Sequence, residues 1–121
     1  ALQSAANVDL ALVGLGNISR DSSIMRTGYI GEEQLEEFSA KGAVGDILMR
    51  YFDASGRYIP MSFEDKTVSL EWNAIMKLPF VITLAFGPEK LEAIGGALAG
   101  GIIHGLVTDR WTAEALLARK K

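Results

Sequence analysis

A short motif in the second half of the chain carries groups that could bind an anion. Gly87 and Pro88 follow an apolar run and precede Lys90. Pro suits the first position of a helix and Gly lets the backbone approach a ligand, so free N–H groups at this helix start could hold a phosphate or carboxylate. Lys90 in the same turn opposes the helix dipole unless such an anion joins it. The alternative is a solvated Lys90 beside Glu89 and Glu92.

Asp46 is the second candidate for ligand chemistry. It ends the small-residue stretch 42–46, which is interpreted as a tight turn before a strand over residues 47–52. An acid at the edge of a sheet can accept hydrogen bonds from sugar hydroxyls or act as a base. The alternative is an Asp that holds its own loop together. A base would need a second acid, for which His104 and Glu64 are the candidates, although neither is predicted at a strand-to-loop junction and His104 is interpreted as structural.

A glycine loop near the start of the chain is the third candidate. The run from Gly14 to Gly16 is half of a dinucleotide fingerprint, but no third glycine follows at the required place, so the motif is weak for NAD. A polar run over residues 17–23 comes next and includes Asn17 and Arg20. Such a run after a parallel strand lies where open α/β sheets bind ligands. Gly14, Gly16 and Asn17 are therefore expected to face a ligand. The alternative is an ordinary loop, since loops are polar in any case.

The elements that must position these residues are predicted to form an α/β fold. Apolar runs over 80–86 and 102–107 are short and nearly continuous, as in strands that are covered on both faces of a parallel sheet. The helix predicted over 89–98 then forms a βαβ crossover between them. A strand is predicted over 8–14 and a β-hairpin with its turn at 53–56. The predicted architecture is a mostly parallel open sheet with flanking helices and a β-hairpin.

Two further helices have clear start and stop signals. Residues 32–41 begin with acidic residues and end at Gly42, and the charges of this helix are interpreted as a solvated face without function. Residues 110–119 follow a capping Asp109. A short strand is predicted over residues 67–70.

Composition limits the classes of function. The chain has 121 residues, 49% hydrophobic and 22% charged, which predicts one globular domain. Its net charge of -3 gives no excess of positive charge for contact with nucleic-acid phosphates, so the chain alone is not expected to bind DNA. The absence of Cys and the single His exclude thiolate and His-rich metal sites, and no cofactor is expected. No signal peptide or membrane-spanning run is visible, so a cytoplasmic location without membrane contact is expected.

Four runs of the sequence, in order, carry a resemblance to a known family. The runs GAVGDILMRYFDASG, VITLAFGPEK and LVTDRWTAEALL, after VGLG, resemble the effector-binding domain of the SorC family of bacterial sugar-responsive transcriptional regulators. The resemblance extends from about Asp9 to Leu117. It implies a fold similar to that of sugar-phosphate isomerases, deaminases and CoA transferases, and a phosphorylated sugar as the effector.

The resemblance also implies roles for particular residues. It puts Gly14 and Gly16 in the loop under the ligand, Asp46 among the sugar-facing acids, and Gly87 with Lys90 at the pocket. Residues 1–121 would then be a partial effector-binding domain, and DNA would be bound only through a helix-turn-helix segment that is missing here. His104 stands where a less ionisable residue is expected in the family, so the resemblance gives it no role.

Three functions follow as hypotheses. The leading one is a ligand-sensing domain, not an enzyme, which forms homo-oligomers as part of a transcriptional regulator. The second is an isomerase-like or deaminase-like enzyme with Asp46 as base. The third is an oligomerisation module without a working pocket.

Overall fold

The computed structural model describes residues 2–18, 28, 31–62 and 68–119. The helices are α1 (Leu2–Ala6), α2 (Glu32–Lys41), α3 (Trp72–Met76), α4 (Leu91–Ala99) and α5 (Arg110–Arg119), and a 3-10 turn (Pro88–Lys90) leads into α4. The strands are β1 (Ala11–Val13), β2 (Gly16–Asn17), β3 (Ala43–Ile47), β4 (Arg50–Asp53), β5 (Tyr58–Ile59), β6 (Val81–Leu84) and β7 (Gly105–Val107). Across these ranges, every helix is too short or too polar to cross a membrane.

The strands form two sheets. β1, β6 and β7 lie parallel with β6 in the centre, while β2, β3, β4 and β5 form an antiparallel sheet in which each strand pairs with the next. The predicted α/β class with a parallel sheet, flanking helices and a hairpin is confirmed. The antiparallel part is larger than the single predicted hairpin because β2 and β3 join it.

The unit β6–α4–β7 confirms the predicted crossover. Its two strands are parallel neighbours, and α4 begins after the 3-10 turn. The structure also explains two glycines. A Cβ atom on Gly96 would lie 2.7 Å from the carbonyl oxygen of Asp53, and one on Gly100 would lie 2.7 Å from the Cα atom of Gly56. Glycine at these positions therefore lets the helix approach the β4–β5 hairpin backbone closely.

The core lies where α4 packs between the two sheets. Ile94 and Ala97 of the helix are fully buried together with Val81 of the parallel sheet and Phe52 of the antiparallel sheet. This contact fixes the relative position of the sheets, and with it the distance between the loops that follow their strands.

The prediction of a turn over 42–46 followed by a strand over 47–52 is wrong. Residues 43–47 form β3, and the turn lies at Leu48 and Met49, whose φ angles are 50° and 65°. Two-residue hairpin turns require a left-handed backbone and are usually formed by Asn-Gly pairs. Leu-Met provides no such signal, so the sequence pattern placed the break at the glycines.

Two side chains support this unusual turn. Asp46 Oδ2 accepts a hydrogen bond of 3.2 Å from the backbone N–H of Met49, and the Ser69 hydroxyl donates one of 2.6 Å to the carbonyl oxygen of Leu48. They stabilise a backbone conformation that non-glycine residues disfavour by about 1 kcal/mol or more each.

The predicted boundaries of α2 and α5 are confirmed, and Gly42 ends α2 with a left-handed φ of 75°. Other predicted elements differ in extent. β1, β6 and β7 are shorter than predicted, and residues 68–70 form no strand, while residue 67 lies outside the described residues. Each parallel strand is shorter because hydrogen-bonded pairing stops before the apolar run does.

The interpretation of the α2 charges as a solvated face is wrong for Glu37. Its carboxylate accepts hydrogen bonds from the Ser62 hydroxyl (2.6 Å), the Ser62 backbone N–H (3.0 Å) and Lys41 Nζ (2.9 Å). Lys41 also donates to the carbonyl oxygen of Pro60 at 2.9 Å. The bonds from Ser62 and Lys41 lower the pKa of Glu37 from 4.5 to about 2. The pair therefore ties the helix to the segment after β5.

Candidate functional site

The site is built around the pairing of β2 with β3, which places Gly16 opposite Asp46. The Asp46 carboxyl group lies over Gly16 so closely that any side chain at position 16 would overlap Asp46 Oδ1. On the neighbouring position, a Cβ atom on Gly45 would lie 2.5 Å from the Cβ atom of Ala93 on α4. The glycine at position 16 thus leaves room for the Asp46 carboxyl group, and the glycine at position 45 lets α4 approach β3.

Burial dominates the electrostatics of Asp46. Desolvation raises the pKa of its carboxyl above the ordinary value of 3.8. The hydrogen bond from the Met49 N–H and the positive charge of Lys90 both oppose this rise without cancelling it. Asp46 is therefore a partly buried acid close to a cation, an environment that is typical of functional sites.

Lys90 points into the protein. Its Nζ donates a hydrogen bond to the backbone carbonyl oxygen of Leu15, in the loop between β1 and β2. The alternative of a solvated Lys90 beside Glu89 and Glu92 is wrong, because the ammonium group is partly buried against this loop. The side chain joins the start of α4 to the glycine loop and brings its charge near Asp46.

The backbone N–H and carbonyl oxygen of Gly87 both form hydrogen bonds within the protein. Its φ of 107° is a conformation that favours glycine, and its N–H donates a 3.0 Å hydrogen bond to the Thr112 hydroxyl oxygen. Its carbonyl oxygen accepts a 3.1 Å bond from the N–H of Lys90. The N–H of Gly87 is therefore not free to hold an anion, in contrast to the expectation from the sequence. What Gly87 does is fix the turn that directs Lys90.

The remaining predicted residues lie around this centre. Gly14 is exposed in the loop that follows β1, and Asn17 pairs with Gly45 next to the Gly16–Asp46 pair. Arg20 and the rest of the polar run, 19–23, lie outside the described residues. The structure thus brings Gly16, Asp46 and Lys90 together, with Gly14, Asn17 and Gly87 in the adjoining backbone.

A cavity of about 550 Å³ opens beside the 3-10 turn. It is lined by Pro88, Glu89 and Glu92, and on the other side by Ile18 and Leu35. Its two glutamates would repel a phosphate. An anionic group is therefore better placed toward Lys90, whose side chain is directed to Leu15 and not into this cavity.

His104 has the structural role expected from the sequence. Its Nδ1 accepts a 2.9 Å hydrogen bond from the N–H of Val81, and its own N–H donates to the carbonyl oxygen of Val81 at 2.8 Å. Its ring stacks on Phe80 with centroids 5.6 Å apart. It lies just before β7 and not within that strand. These contacts engage the Nδ1 side of the His104 ring, and Glu64, the other candidate for a second acid, lies outside the described residues.

Sequence reasoning missed two residues that hold the site in place. Thr112 accepts the hydrogen bond from Gly87, and its position three residues after the capping Asp109 is the signal that could have drawn attention to it. Arg50 is buried, and its Nε donates to the carbonyl oxygen of Leu70 at 2.8 Å, with Nη2 3.3 Å from the carbonyl oxygen of Ser69. For Arg50, the corresponding signal was a charged residue within an otherwise apolar strand sequence.

Across the described ranges, His, Asp and Glu side chains do not cluster as a metal site would require.

The comparison with protein families identifies the class of domain. Residues 1–118 match the family described as "Putative sugar-binding domain", and the chain belongs to that family. It is similar to the transcriptional regulator LsrR of Enterobacter sp. (strain 638), with 39% identity over 95% of this chain and 36% of the relative. It is also similar to the sorbitol operon regulator of Klebsiella pneumoniae, with 35% identity over 92% of this chain and 35% of the relative.

Solved structures show the same architecture. A DeoR family transcriptional regulator from Listeria monocytogenes superposes with a TM-score of 0.89 at 33% identity, over 95% of this chain and 47% of that chain. The full-length sorbitol operon regulator SorC from Klebsiella pneumoniae gives a TM-score of 0.85 at 37% identity, over 95% of this chain and 37% of that chain. The resemblance to SorC-type regulators is confirmed. The chain spans about a third of the length of the curated relatives it matches.

Proposed function

We propose that residues 1–121 are part of the effector-sensing domain of a sugar-responsive transcriptional regulator and bind a phosphorylated sugar. The observation that supports this most directly is the partly buried Asp46 carboxyl, held over Gly16 and near the Lys90 ammonium. A carboxylate accepts hydrogen bonds from sugar hydroxyls, and an ammonium carries three donors, of which one goes to Leu15. The pair thus offers one group for the hydroxyls and one for the phosphate.

The proposed mechanism is non-catalytic. Proton transfer at a sugar carbon would need a second acid or base opposite Asp46, and the ring nitrogen of His104 that faces the protein is already bonded to Val81. In the complete regulator, which acts in the cytoplasm, the sugar would favour one of two states of the protein and so change its affinity for DNA. The relatives are named as regulators, which supports this role over turnover.

The test is thermal unfolding of this chain with a panel of phosphorylated sugars, the free sugars and inorganic phosphate. A ligand at a hundred times its Kd adds about 2.7 kcal/mol, which shifts the Tm of a domain of this size by about 10 °C. We expect a shift with a phosphorylated sugar, retained in Lys90→Arg and lost in Lys90→Met, which keeps the length and removes the charge. Lys77→Met, at an exposed lysine, is the control.

Three results would overturn the proposal. Equal shifts with a free sugar and its phosphate would remove the role of Lys90 in phosphate binding. Formation of a new sugar species, followed by proton NMR after incubation with the bound compound, would favour the enzyme. If no compound binds to this chain, the panel is repeated on the longer regulator, and failure there rejects the sensor function.

A further inference from the structure

The turn between β3 and β4 has a strained backbone beside the proposed ligand site. Leu48 and Met49 have φ angles of 50° and 65°, a left-handed conformation that residues with a Cβ atom disfavour. Because neither residue is glycine, neighbouring groups must hold the turn in this shape. Strain of this kind persists where the surrounding structure determines the backbone, and it is concentrated at functional sites.

One peptide unit of this turn is hydrogen-bonded at both ends. The carbonyl oxygen of Leu48 accepts a 2.6 Å bond from the Ser69 hydroxyl, and the N–H of Met49 donates a 3.2 Å bond to Asp46 Oδ2. This C=O and this N–H belong to the same peptide unit, which is planar and trans, so they point in opposite directions. A contact that fixes the direction of the carbonyl therefore also fixes the direction of the N–H toward Asp46.

Ser69 is itself held in place by a buried arginine. Arg50 is 4% exposed, and it donates from Nε to the carbonyl oxygen of Leu70 at 2.8 Å and from Nη2 to that of Ser69 at 3.3 Å. A buried guanidinium requires such acceptors, so this backbone segment stays against Arg50. Leu70 is buried in the core. The Ser69 hydroxyl is thus fixed opposite the turn, although it lies 21 residues from Leu48.

The two oxygens of the Asp46 carboxyl group have different surroundings. Oδ2 accepts the bond from Met49, and Oδ1 lies over Gly16. Among the described residues, none donates a hydrogen bond to Oδ1, so this oxygen remains for a sugar hydroxyl. The bond to Oδ2 opposes rotation of the carboxyl group and therefore determines where Oδ1 is presented.

We propose that Ser69 is a positioning residue for the ligand-binding carboxyl group of Asp46 and acts through the Leu48–Met49 peptide unit. The hydroxyl holds the carbonyl, the rigid peptide plane directs the N–H, and the N–H holds Oδ2. A donor on the carbonyl oxygen also polarises the peptide unit and makes its N–H a stronger donor. The part that Asp46 plays in binding is that of the proposed function, on which this proposal rests, whereas the link from Ser69 to Asp46 is a property of the chain without ligand.

The experiment is a pH titration of the Asp46 side-chain carboxyl carbon by NMR, on the chain without ligand. Since the bond from Met49 favours the ionised carboxylate, Ser69→Ala should raise the pKa of Asp46 above its value in the original chain. Ser69→Thr keeps the hydroxyl and should leave this pKa close to the original. Within the described part of the chain, Lys90 is the charged group that acts on Asp46, and both variants retain it.

The amide proton of Met49 gives a second readout of the same link. In the original chain its resonance should move as Asp46 ionises, because a hydrogen bond to a charged acceptor is stronger than one to a neutral acceptor. In Ser69→Ala this movement should fall to about half or less of its original size, since the N–H is no longer held in line with Oδ2. In Ser69→Thr the movement should be retained.

Ser62→Ala is the matched control. The Ser62 hydroxyl also donates a 2.6 Å hydrogen bond, to Glu37 Oε1, and this bond lies outside the turn. Its loss should lower the unfolding free energy without changing the pKa of Asp46 or the titration of the Met49 amide. Circular dichroism checks that each variant is folded.

Because no sugar is added, the titration tests this proposal whether or not the chain binds a phosphorylated sugar. The link is absent if the pKa of Asp46 and the Met49 resonance in Ser69→Ala match those of the original chain. A pKa that rises as much in Ser62→Ala or in Ser69→Thr as in Ser69→Ala also overturns the proposal, because the change would not then follow from the lost Ser69 hydroxyl.

Discussion

The hydroxyl oxygen of Thr112 accepts a 3.0 Å hydrogen bond from the backbone N–H of Gly87. Thr112 is fully buried, and its own N–H donates a 2.8 Å bond to Asp109 Oδ1. Hydrogen bonding from the Thr112 side chain, and to a smaller extent from this N–H, lowers the pKa of Asp109. One threonine therefore serves both the start of the last helix and the turn that leads to Lys90. The position of the candidate site depends on how α5 begins.

Thr112→Val tests this relationship. Valine has nearly the same shape but leaves the Gly87 N–H without an acceptor, so we expect a loss of about 1 to 3 kcal/mol of unfolding free energy. Thr112→Ser keeps the oxygen and should lose less. Urea unfolding monitored by circular dichroism measures both. If Thr112→Val is as stable as Thr112→Ser, the bond does not hold the turn.

Asp46→Asn should remove a destabilising effect of the carboxyl group that depends on pH. The pKa of Asp46 is raised in the folded state above its ordinary value of 3.8. Below pH 3.8 the carboxyl group is protonated in both states and does not lower the unfolding free energy. As pH rises above 3.8, ionisation favours the unfolded chain and the fold becomes progressively less stable. We therefore expect Asp46→Asn to gain stability relative to the original chain between pH 4 and pH 7. Urea unfolding at several pH values gives the difference.

Sugar binding by Asp46→Asn should be measured together with its stability, so that the two effects of the substitution are separated. The amide can still accept the hydrogen bond from Met49, so the fold should persist while sugar binding falls. A difference in stability that grows toward acid pH would contradict the raised pKa.

Glu37→Gln should show the opposite pH dependence. The pKa of Glu37 is lowered from 4.5 to about 2, so its contribution is fully present above pH 4.5 and is lost as pH falls toward 2. The expected loss at pH 6 is below about 1 kcal/mol, because the ion pair with Lys41 is partly exposed to solvent. At pH 3 the difference in unfolding free energy between the original chain and Glu37→Gln should be smaller. Glu36→Gln, an exposed acid on the same helix, should stay within about 0.5 kcal/mol.

Met49→Gly should stabilise the chain, contrary to the usual effect of introducing glycine. Met49 has a φ of 65°, a conformation that costs a non-glycine residue about 1 to 2 kcal/mol. Part of that gain is offset by the greater freedom of glycine in the unfolded chain. A net gain of up to about 1 kcal/mol is expected in thermal or urea unfolding. Ala54→Gly, in the β4–β5 turn without a positive φ, should instead be neutral or destabilising.

The elements that the sequence predicted well are those whose signals are local. The helix at 32–41 begins with acidic residues and ends at Gly42, the helix at 110–119 follows a capping Asp109, and the crossover between 80 and 107 has two apolar runs of the correct length. In each case the residues that determine the element lie within it or beside it.

The errors come from contacts between distant parts of the chain. β3 was mistaken for a turn because its glycine, Gly45, is required by neighbours across space, Gly16 and Ala93, and not by local backbone geometry. The Leu48–Met49 turn is supported by Ser69, which lies 21 residues from Leu48. The same reason applies to the site: Asp46 and Lys90 were both identified, but the direction of Lys90 toward Leu15 depends on a contact across 75 residues.

The overlap of Asp46 with the empty side of Gly16 has a consequence for how this domain can evolve. A side chain at position 16 forces the Asp46 carboxyl group out of its present place, so the acid can keep this position only while residue 16 is glycine. Replacement of Asp46 by a smaller residue removes this constraint on position 16, whereas substitution of Gly16 first displaces the carboxyl group. Homologues that have lost the acid should therefore be the ones in which position 16 has begun to vary.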